Sequence, residues 1–384
     1  MANIYREKII NRIIENTDTS SSLGIIIASP SEDPPYKYHW IRDAALVMRT
    51  FIDLYATTNE AKYFQYIINY LENETKVQGL NTKSGLGEPK VKTDCTPFNG
   101  NWGRPQNDGP ALRGIIMLKI INSFKYRYDI LIEKLIRPII IKDVEYIINN
   151  YDKVCFDIWE ENLGWHFYTR LVQLKFLKDC ISEFKILRLG DNIESSIREV
   201  YDKLKISIND HINSNTIISS FDKDGKIIKY EDAANILAFS HIDYDKEILK
   251  IIPFEYVEHT CNELMEYFRD KYKNDTLNLI GRYKNDKYYD GQIWIICSLG
   301  LAQVYLELYK QRNVVNKKSP MHRAKSNPNN DYIIIANEIL ERILSLDSNF
   351  ILPEQFNPNT GKYYSATKLT WNYSELYILY NQLK

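Results

Sequence analysis

Residues 157–162 read Asp157-Ile-Trp159-Glu160-Glu161-Asn162, two adjacent carboxylates directly behind a tryptophan. Building a helix or a strand does not ask for that order. Opening an acetal does: it needs a proton donor for the leaving oxygen, a carboxylate that primes water, and flat aromatic surface to hold a ring. Similar mixtures of aromatic, basic and acidic side chains recur at Trp40-Ile-Arg42-Asp43, Trp102-Gly-Arg104-Pro105-Gln-Asn-Asp108, Tyr230-Glu-Asp232, Tyr288-Tyr289-Asp290-Gly291 and Glu354-Gln355 through Trp371. The bland alternative for Glu160-Glu161 is a helix start, where the dipole favours acids.

The elements that must position these residues are helical. Apolar side chains recur with helical spacing over about 5–15, 43–57, 60–72, 109–124, 129–150, 166–184, 190–212, 232–240, 246–270, 291–310, 329–346 and 369–383, and strand-like alternation is scarce. That predicts about twelve helices. Each polar, Trp- or Gly-bearing segment sits just before one of them, and the segments are spaced by about one helical hairpin. Six αα-hairpins closed into a ring would bring all six segments to one end around a common axis, each helix burying its apolar stripe against neighbours without any sheet. No linker rich in Pro, Ser or Thr divides the chain, so residues 1–384 are expected to form a single all-α toroid. The polar stretch 314–330, with two prolines, reads as an exposed loop.

Composition removes other classes of function. A net charge of -1 leaves no basic excess for nucleic acid. No apolar run approaches the roughly 18 residues that would span a membrane. The five cysteines are odd in number, dispersed and without a Cys-x-x-Cys pair, and they read as free thiols of a reducing compartment. The six histidines show no metal spacing, and His39 and His166 read as local packing or surface residues. No metal or other cofactor is called for. The 29 tyrosines and 6 tryptophans supply more rigid amphipathic surface than a helical core requires, a weak pointer toward ring binding.

Nine motifs, in one order from end to end of the chain, carry a resemblance. They are Gly24-Ile-Ile-Ile-Ala-Ser-Pro30, Tyr36-Lys-Tyr-His-Trp40-Ile-Arg42-Asp43-Ala, Gly85-Leu-Gly-Glu88-Pro-Lys90, Asn101-Trp102 through Arg113, Asp157-Ile-Trp159-Glu160-Glu161, Asp232-Ala-Ala-Asn-Ile-Leu-Ala, Gly281-Arg282-Tyr283 to Trp294, Pro353-Glu354-Gln355, and Leu369-Thr-Trp371-Asn-Tyr373. The chain resembles the glucoamylases of glycoside hydrolase family 15. The resemblance implies an (α/α)6 barrel, in agreement with the hairpin count. It also implies hydrolysis of terminal α-1,4 glucosidic bonds from non-reducing ends, with inversion, releasing β-D-glucose. Position by position, Glu160 resembles the family's general acid and Glu354 its general base.

Glu160 must hold a proton to donate it, a state that close anions such as Glu161, Asp157 and Glu354 would favour. Glu354 is expected in a Pro-bounded loop before the last helix. An inverting pair stands roughly 6.5–9.5 Å apart so that water fits between base and anomeric carbon. The resemblance further implies that Arg42 and Asp43 fix the first glucose through its 4- and 6-hydroxyls, for which an acceptor carboxylate and a forked donor are suited. A helix cap is the competing reading of Asp43. Tyr36 matches an aromatic that faces developing positive charge. Trp102 matches a tryptophan beside the acid, Glu161 and Arg282 match residues binding the second sugar, Asp108 supports its loop and Trp294 forms a subsite wall. Asp157, Trp159 and Gln355 complete the expected binding set.

This chain departs from the family at several points. It is shorter than the usual catalytic domain, trimmed around 185–280. Lys37 and His39 replace commoner aromatic and small residues, Asp290-Gly291-Gln292-Ile293 stands for the more familiar Asn-Gly-Asn-Pro, and Asn162-Leu-Gly-Trp165-His166 for a small polar stretch. No starch-binding domain is expected beyond Lys384, so soluble oligosaccharides or glycogen are expected rather than raw starch. The start shows no signal peptide, which with the unpaired cysteines favours an intracellular, cytoplasmic enzyme. A monomer is the default. The alternatives are a glucan-binding regulatory module without activity, and the same fold acting on trehalose or isomaltose.

Overall fold

The computed structural model describes residues 2–18, 22–124, 129–214, 216–318 and 329–384. Among them stand twelve helices of nine residues or more: α1 (Ala2–Asp18), α2 (Ile41–Thr58), α3 (Ala61–Val77), α4 (Asp108–Phe124), α5 (Arg137–Asn150), α6 (Phe167–Ser182), α7 (Asp191–Asn209), α8 (Ala233–His241), α9 (Glu255–Tyr272), α10 (Ile295–Lys318), α11 (Asn329–Leu344) and α12 (Thr370–Leu383). Helices α2, α4, α6, α8, α10 and α12 pack each on the next, and α12 packs back on α2, so they close an inner ring. Each leans on a helix of an outer layer: α3 on α2, α5 on α4, α7 on α6, α9 on α8, α11 on α10 and α1 on α12. This is the (α/α)6 barrel expected from the sequence.

Burial separates the two layers. An inner helix has neighbours on nearly every side and is buried almost all round; every residue of α8 is buried. An outer helix keeps one apolar stripe, as α7 does with Ile197, Val200, Leu204 and Ile208 at steps of three and four. Alternate helices of the chain run the same way, so the N-termini of the inner six share one end of the barrel. The segments singled out for chemistry lead directly into those N-termini.

Two buried polar clusters lock the ring. Arg113 of α4 donates to Asp143 of α5 at 2.9 and 2.5 Å and to Glu74 of α3 at 3.0 Å, and His39 Nε2 lies 2.9 Å from Glu74. Glu375 of α12 accepts from Arg49 of α2, from Trp371 Nε1 at 2.8 Å and from Gln303 of α10 at 2.9 Å, with His241 of α8 at 3.2 Å. Burial opposes ionisation of Glu375, yet Arg49 and His241 hold its carboxyl far below the usual range. Four of the six inner helices thus meet on one anion.

Three local expectations are corrected. Helix α10 continues to Lys318 and α11 begins at Asn329, so the expected loop 314–330 is helical at both ends; 319–328 lie outside the described residues. Short strands also occur, the largest group pairing 155–156, 163–166, 220–222 and 227–229 antiparallel. Two to four residues are too few to show alternation against background. Glu354, expected in a loop, lies in the strand Pro353–Phe356, the middle of a three-stranded sheet with 293–294 and 363–367. No helix among the described residues is long and apolar enough to cross a membrane.

Candidate active site

A cavity of about 460 Å³ opens at the end of the barrel where the inner helices begin, within the range of small-molecule sites. Its wall includes Tyr36, Trp40, Arg42, Asp43, Trp102, Trp159, Glu160, Glu161, Arg282, Tyr288, Trp294, Glu354 and Trp371. Two carboxyls from distant parts of the chain, Glu160 and Glu354, therefore face one space.

Glu160 does not start a helix. It sits in the turn joining strands 155–156 and 163–166, with φ at +65°, a left-handed conformation that an L-residue adopts at a cost of roughly 1–2 kcal/mol. Asp157 holds this turn. Its carbonyl accepts from Glu160 N at 2.9 Å, Oδ1 accepts from Glu161 N at 2.8 Å and Asn162 N at 3.3 Å, and Oδ2 accepts from Asn162 Nδ2 at 3.0 Å. Burial works against ionisation of Asp157, but Lys229 and these donors hold its carboxyl below the usual range. Glu160 Oε1 accepts from Trp40 Nε1 at 2.7 Å and from Gln106 Nε2 at 2.9 Å, with Arg42 Nη2 at 3.6 Å.

Glu354 has a different environment. It is 3% exposed, and burial pushes its carboxyl up to about 6, against the Ser365 and Tyr36 hydroxyls and the Arg282 guanidinium. Its Oε2 finds no hydrogen-bond partner among the described residues. The Tyr288 hydroxyl lies 3.0 Å from Ser365 Oγ and 3.4 Å from the Tyr36 hydroxyl, completing a fringe of neutral hydroxyls around Glu354.

Arg42 and Asp43 open α2. Arg42 Nη1 donates to Asp108 Oδ2 at 2.8 Å and Gln106 Oε1 at 3.0 Å, while Nε stays 3.8 Å from Asp43 Oδ2. Burial pushes Asp43 up to about 7, opposed by Arg42 and reinforced by Glu160, Asp108 and Glu354. Arg282 is clamped by Asp286 at 2.6 and 2.8 Å and by Glu161 at 2.7 Å. Rings of Trp159, Tyr283, Tyr288 and Trp294 surround its guanidinium at 4.9 to 5.4 Å. Trp40 stands edge-on to Trp102 at 6.0 Å, and Trp159 to Trp294 at 5.5 Å. The site thus offers fixed flat walls and two carboxyls in unlike settings.

A family model described as "Glycosyl hydrolases family 15" matches residues 3–380. The chain belongs to this family. Among relatives, it is 30% identical over 451 aligned residues to an intracellular sporulation-specific glucoamylase of Saccharomyces cerevisiae, covering 97% of this chain and 81% of the relative. The glucoamylase of Saccharomycopsis fibuligera at atomic resolution superposes with a TM-score of 0.86 at 24% identity, covering 100% of this chain and 94% of that one. The family 15 glucoamylase of Hypocrea jecorina does so with a TM-score of 0.85 at 25% identity, covering 100% and 72%.

Of the residues expected in this family 15 site, the fold gathers Tyr36, Arg42, Asp43, Trp102, Trp159, Glu160, Glu161, Arg282, Trp294 and Glu354 on one wall. Asp157 and Gln355 stand behind it. Asp157 spends its oxygens on the turn. Gln355 follows Glu354 on a strand whose pairing is irregular there; it is fully buried, does not line the cavity, and its amide helps lower the Glu354 carboxyl. The anions expected to keep a proton on Glu160 are largely answered: Glu161 pairs with Arg282 and Lys229, and Asp157 with Lys229. His39 and His166 are packing residues, the latter buried between Ser220 Oγ and Cys155 O.

Sequence reasoning left out Trp40, Gln106, Tyr288, Trp371 and Lys90. All five lie inside motifs already quoted, so their position was the available signal. Lys90 is fully buried, its Nζ 3.1 Å from the Trp102 ring centroid, 4.1 Å from Trp40, 4.6 Å from Phe98 and 4.7 Å from Tyr38, with no hydrogen-bond partner among the described residues. Burial pushes its ammonium down to about 7, against Glu160 and Glu88. This caged lysine backs the two tryptophans that flank Glu160.

Proposed function

We propose that this enzyme removes terminal α-1,4-linked glucose from the non-reducing ends of oligo- and polysaccharides with inversion, releasing β-D-glucose. The observation that carries the reading is the convergence of Glu160 and Glu354 on one aromatic cavity from positions 194 residues apart (354 − 160). Glu160 is the general acid. Trp40 and Gln106 occupy Oε1, so the transferable proton belongs on Oε2, which hands it to the glucosidic oxygen as the bond breaks. Glu354 is the general base. An acceptor with a value about 6 is ionised at neutral pH yet basic enough to take a proton from water, and its unengaged Oε2 is the oxygen available for that.

Asp43 and Arg42 hold the terminal glucose, and Tyr36, kept neutral by burial, turns its ring toward the oxocarbenium-like centre. Trp102, Trp159 and Trp294 are the platforms for the sugars, and Glu161 and Arg282 bind the second one. Asp157 and Gln355 support the acid and base from behind. The whole chain acts as one catalytic unit and as a monomer. An intracellular location is favoured by its five unpaired cysteines and by the intracellular relative in Saccharomyces cerevisiae.

Nuclear magnetic resonance of the first-formed anomer during maltose hydrolysis tests the reading. β-Glucose is expected, and α-glucose as the first product would refute inversion. Release from maltose far above that from trehalose or isomaltose is the matching specificity result.

A further inference from the structure

Lys229 ends the short strand 227–229, outside every motif that carried the resemblance, and does not line the cavity. Its side chain is only 11% exposed, and its ammonium is shared by three carboxylates. Nζ lies 3.3 Å from Asp157 Oδ2, 3.5 Å from Glu161 Oε2 and 3.6 Å from Asp232 Oδ2, and 3.8 Å from the Tyr283 ring centroid. Each partner serves the site. Asp157 closes the turn that holds Glu160 at positive φ. Asp232 caps α8 through Ala234 N at 2.8 Å and accepts Trp159 Nε1 at 2.8 Å. Glu161 bonds Arg282 and the Tyr283 hydroxyl.

The other cation in this group, Arg282, is already taken by Asp286 and Glu161. Without Lys229, Asp157 and Asp232 would be left as buried, mutually repelling anions. The left-handed turn at Glu160 is then opposed by its own backbone cost and loses the cation that ties it to α8.

We propose that Lys229 is a positioning residue of the reaction, tying the Asp157–Asn162 turn and the Asp232 cap together so that the Glu160 carboxyl meets the leaving oxygen. This rests on Glu160 being the acid. It predicts a defect confined to substrates whose leaving group needs a proton. Maltose is such a substrate. α-D-Glucosyl fluoride is not: fluoride departs as the anion while water attacks carbon 1 and gives its proton to Glu354.

The experiment compares kcat/KM on both substrates for Lys229→Met, Lys229→Gln and Lys229→Arg, with Glu160→Gln alongside. Misplacing the acid by about 1 Å is worth on the order of 10²-fold, so Lys229→Met and Lys229→Gln lose that much on maltose. They stay within roughly threefold on glucosyl fluoride, where proton donation contributes little. Lys229→Arg, which keeps the cation, recovers most of the maltose rate. Equal losses on both substrates, an unchanged maltose rate, or a maltose loss carried by KM with kcat unchanged, as weakened second-sugar binding through Glu161 would give, overturn the proposal. Turnover of the fluoride also reports that a variant is folded; if Lys229→Met does not fold, the contrast between the glutamine and arginine variants decides. Normal maltose turnover by Glu160→Gln would instead overturn the acid assignment, a separate outcome.

Discussion

Glu354→Gln should abolish turnover and, in the same molecule, gain stability relative to the wild type as pH rises from acid to neutral. The Glu354 carboxyl is raised from its ordinary 4.5 to about 6 by burial, and at 3% exposure solvent screens it little. Below 4.5 both the folded and unfolded chains carry the proton, so this group makes no difference between them. Between 4.5 and 6 the folded chain holds the proton more tightly, and above 6 it must keep a buried charge. Stability from the protonated group is therefore present in acid and lost as pH rises through about 6. At about 1.4 kcal/mol per pH unit the loss is about 2 kcal/mol. The neutral amide of the variant is exempt from it. With an unfolding entropy of about 2.1 cal/mol/K per residue, a chain of this length changes Tm by roughly 2–3 °C for that energy. The assay is thermal unfolding of both proteins, without substrate, at pH 4 and pH 8. The Tm of the variant minus that of the wild type should rise by roughly 2–3 °C between those pH values, whatever its starting sign. A difference that stays constant, or moves the other way, would refute the assignment of a raised, buried base.

Glu160→Gln should lower kcat on maltose by on the order of 10²–10⁴-fold while a calorimetric titration still shows the sugar binding; normal turnover counts against the acid role. In the wild type, kcat/KM on maltose should fall as pH drops through about 6, because the base must be ionised to accept a proton. Ser365→Ala removes a hydroxyl that favours the ionised form and should move that limb to higher pH; an unmoved limb would show that Ser365 does not act on the base. Arg113→Met leaves Glu74 and Asp143 buried without their cation and should cost about 3–5 kcal/mol, read by denaturant unfolding, whereas a loss under about 1 kcal/mol would place the cluster among the dispensable ones.

Much of the site is legible in the residues themselves. Helical spacing locates the twelve long helices to within a few residues in most cases, because an amphipathic or fully buried stripe is a local property of the chain. The motifs contain Glu160, Glu354 and most of the cavity wall, because Trp, Arg and paired carboxylates ahead of a helix have little other use. The side to which each one turns is not local. Glu354 and Gln355 are neighbours in sequence, yet only strand pairing with 293–294 and 363–367 sends the first into the cavity and the second behind it. Glu160-Glu161 could have opened a helix; hydrogen bonds from the turn to Asp157 put it in a left-handed bend. Charge is the least local of all. Lys229 is an ordinary lysine in the sequence and Lys90 only the last residue of a motif, and their surroundings join near residues to distant ones: Asp232 with Asp157 and Glu161 for one, Phe98 and Trp102 with Tyr38 and Trp40 for the other. Electrostatic energy depends on distance and on the exclusion of water, and closing the helical ring sets both.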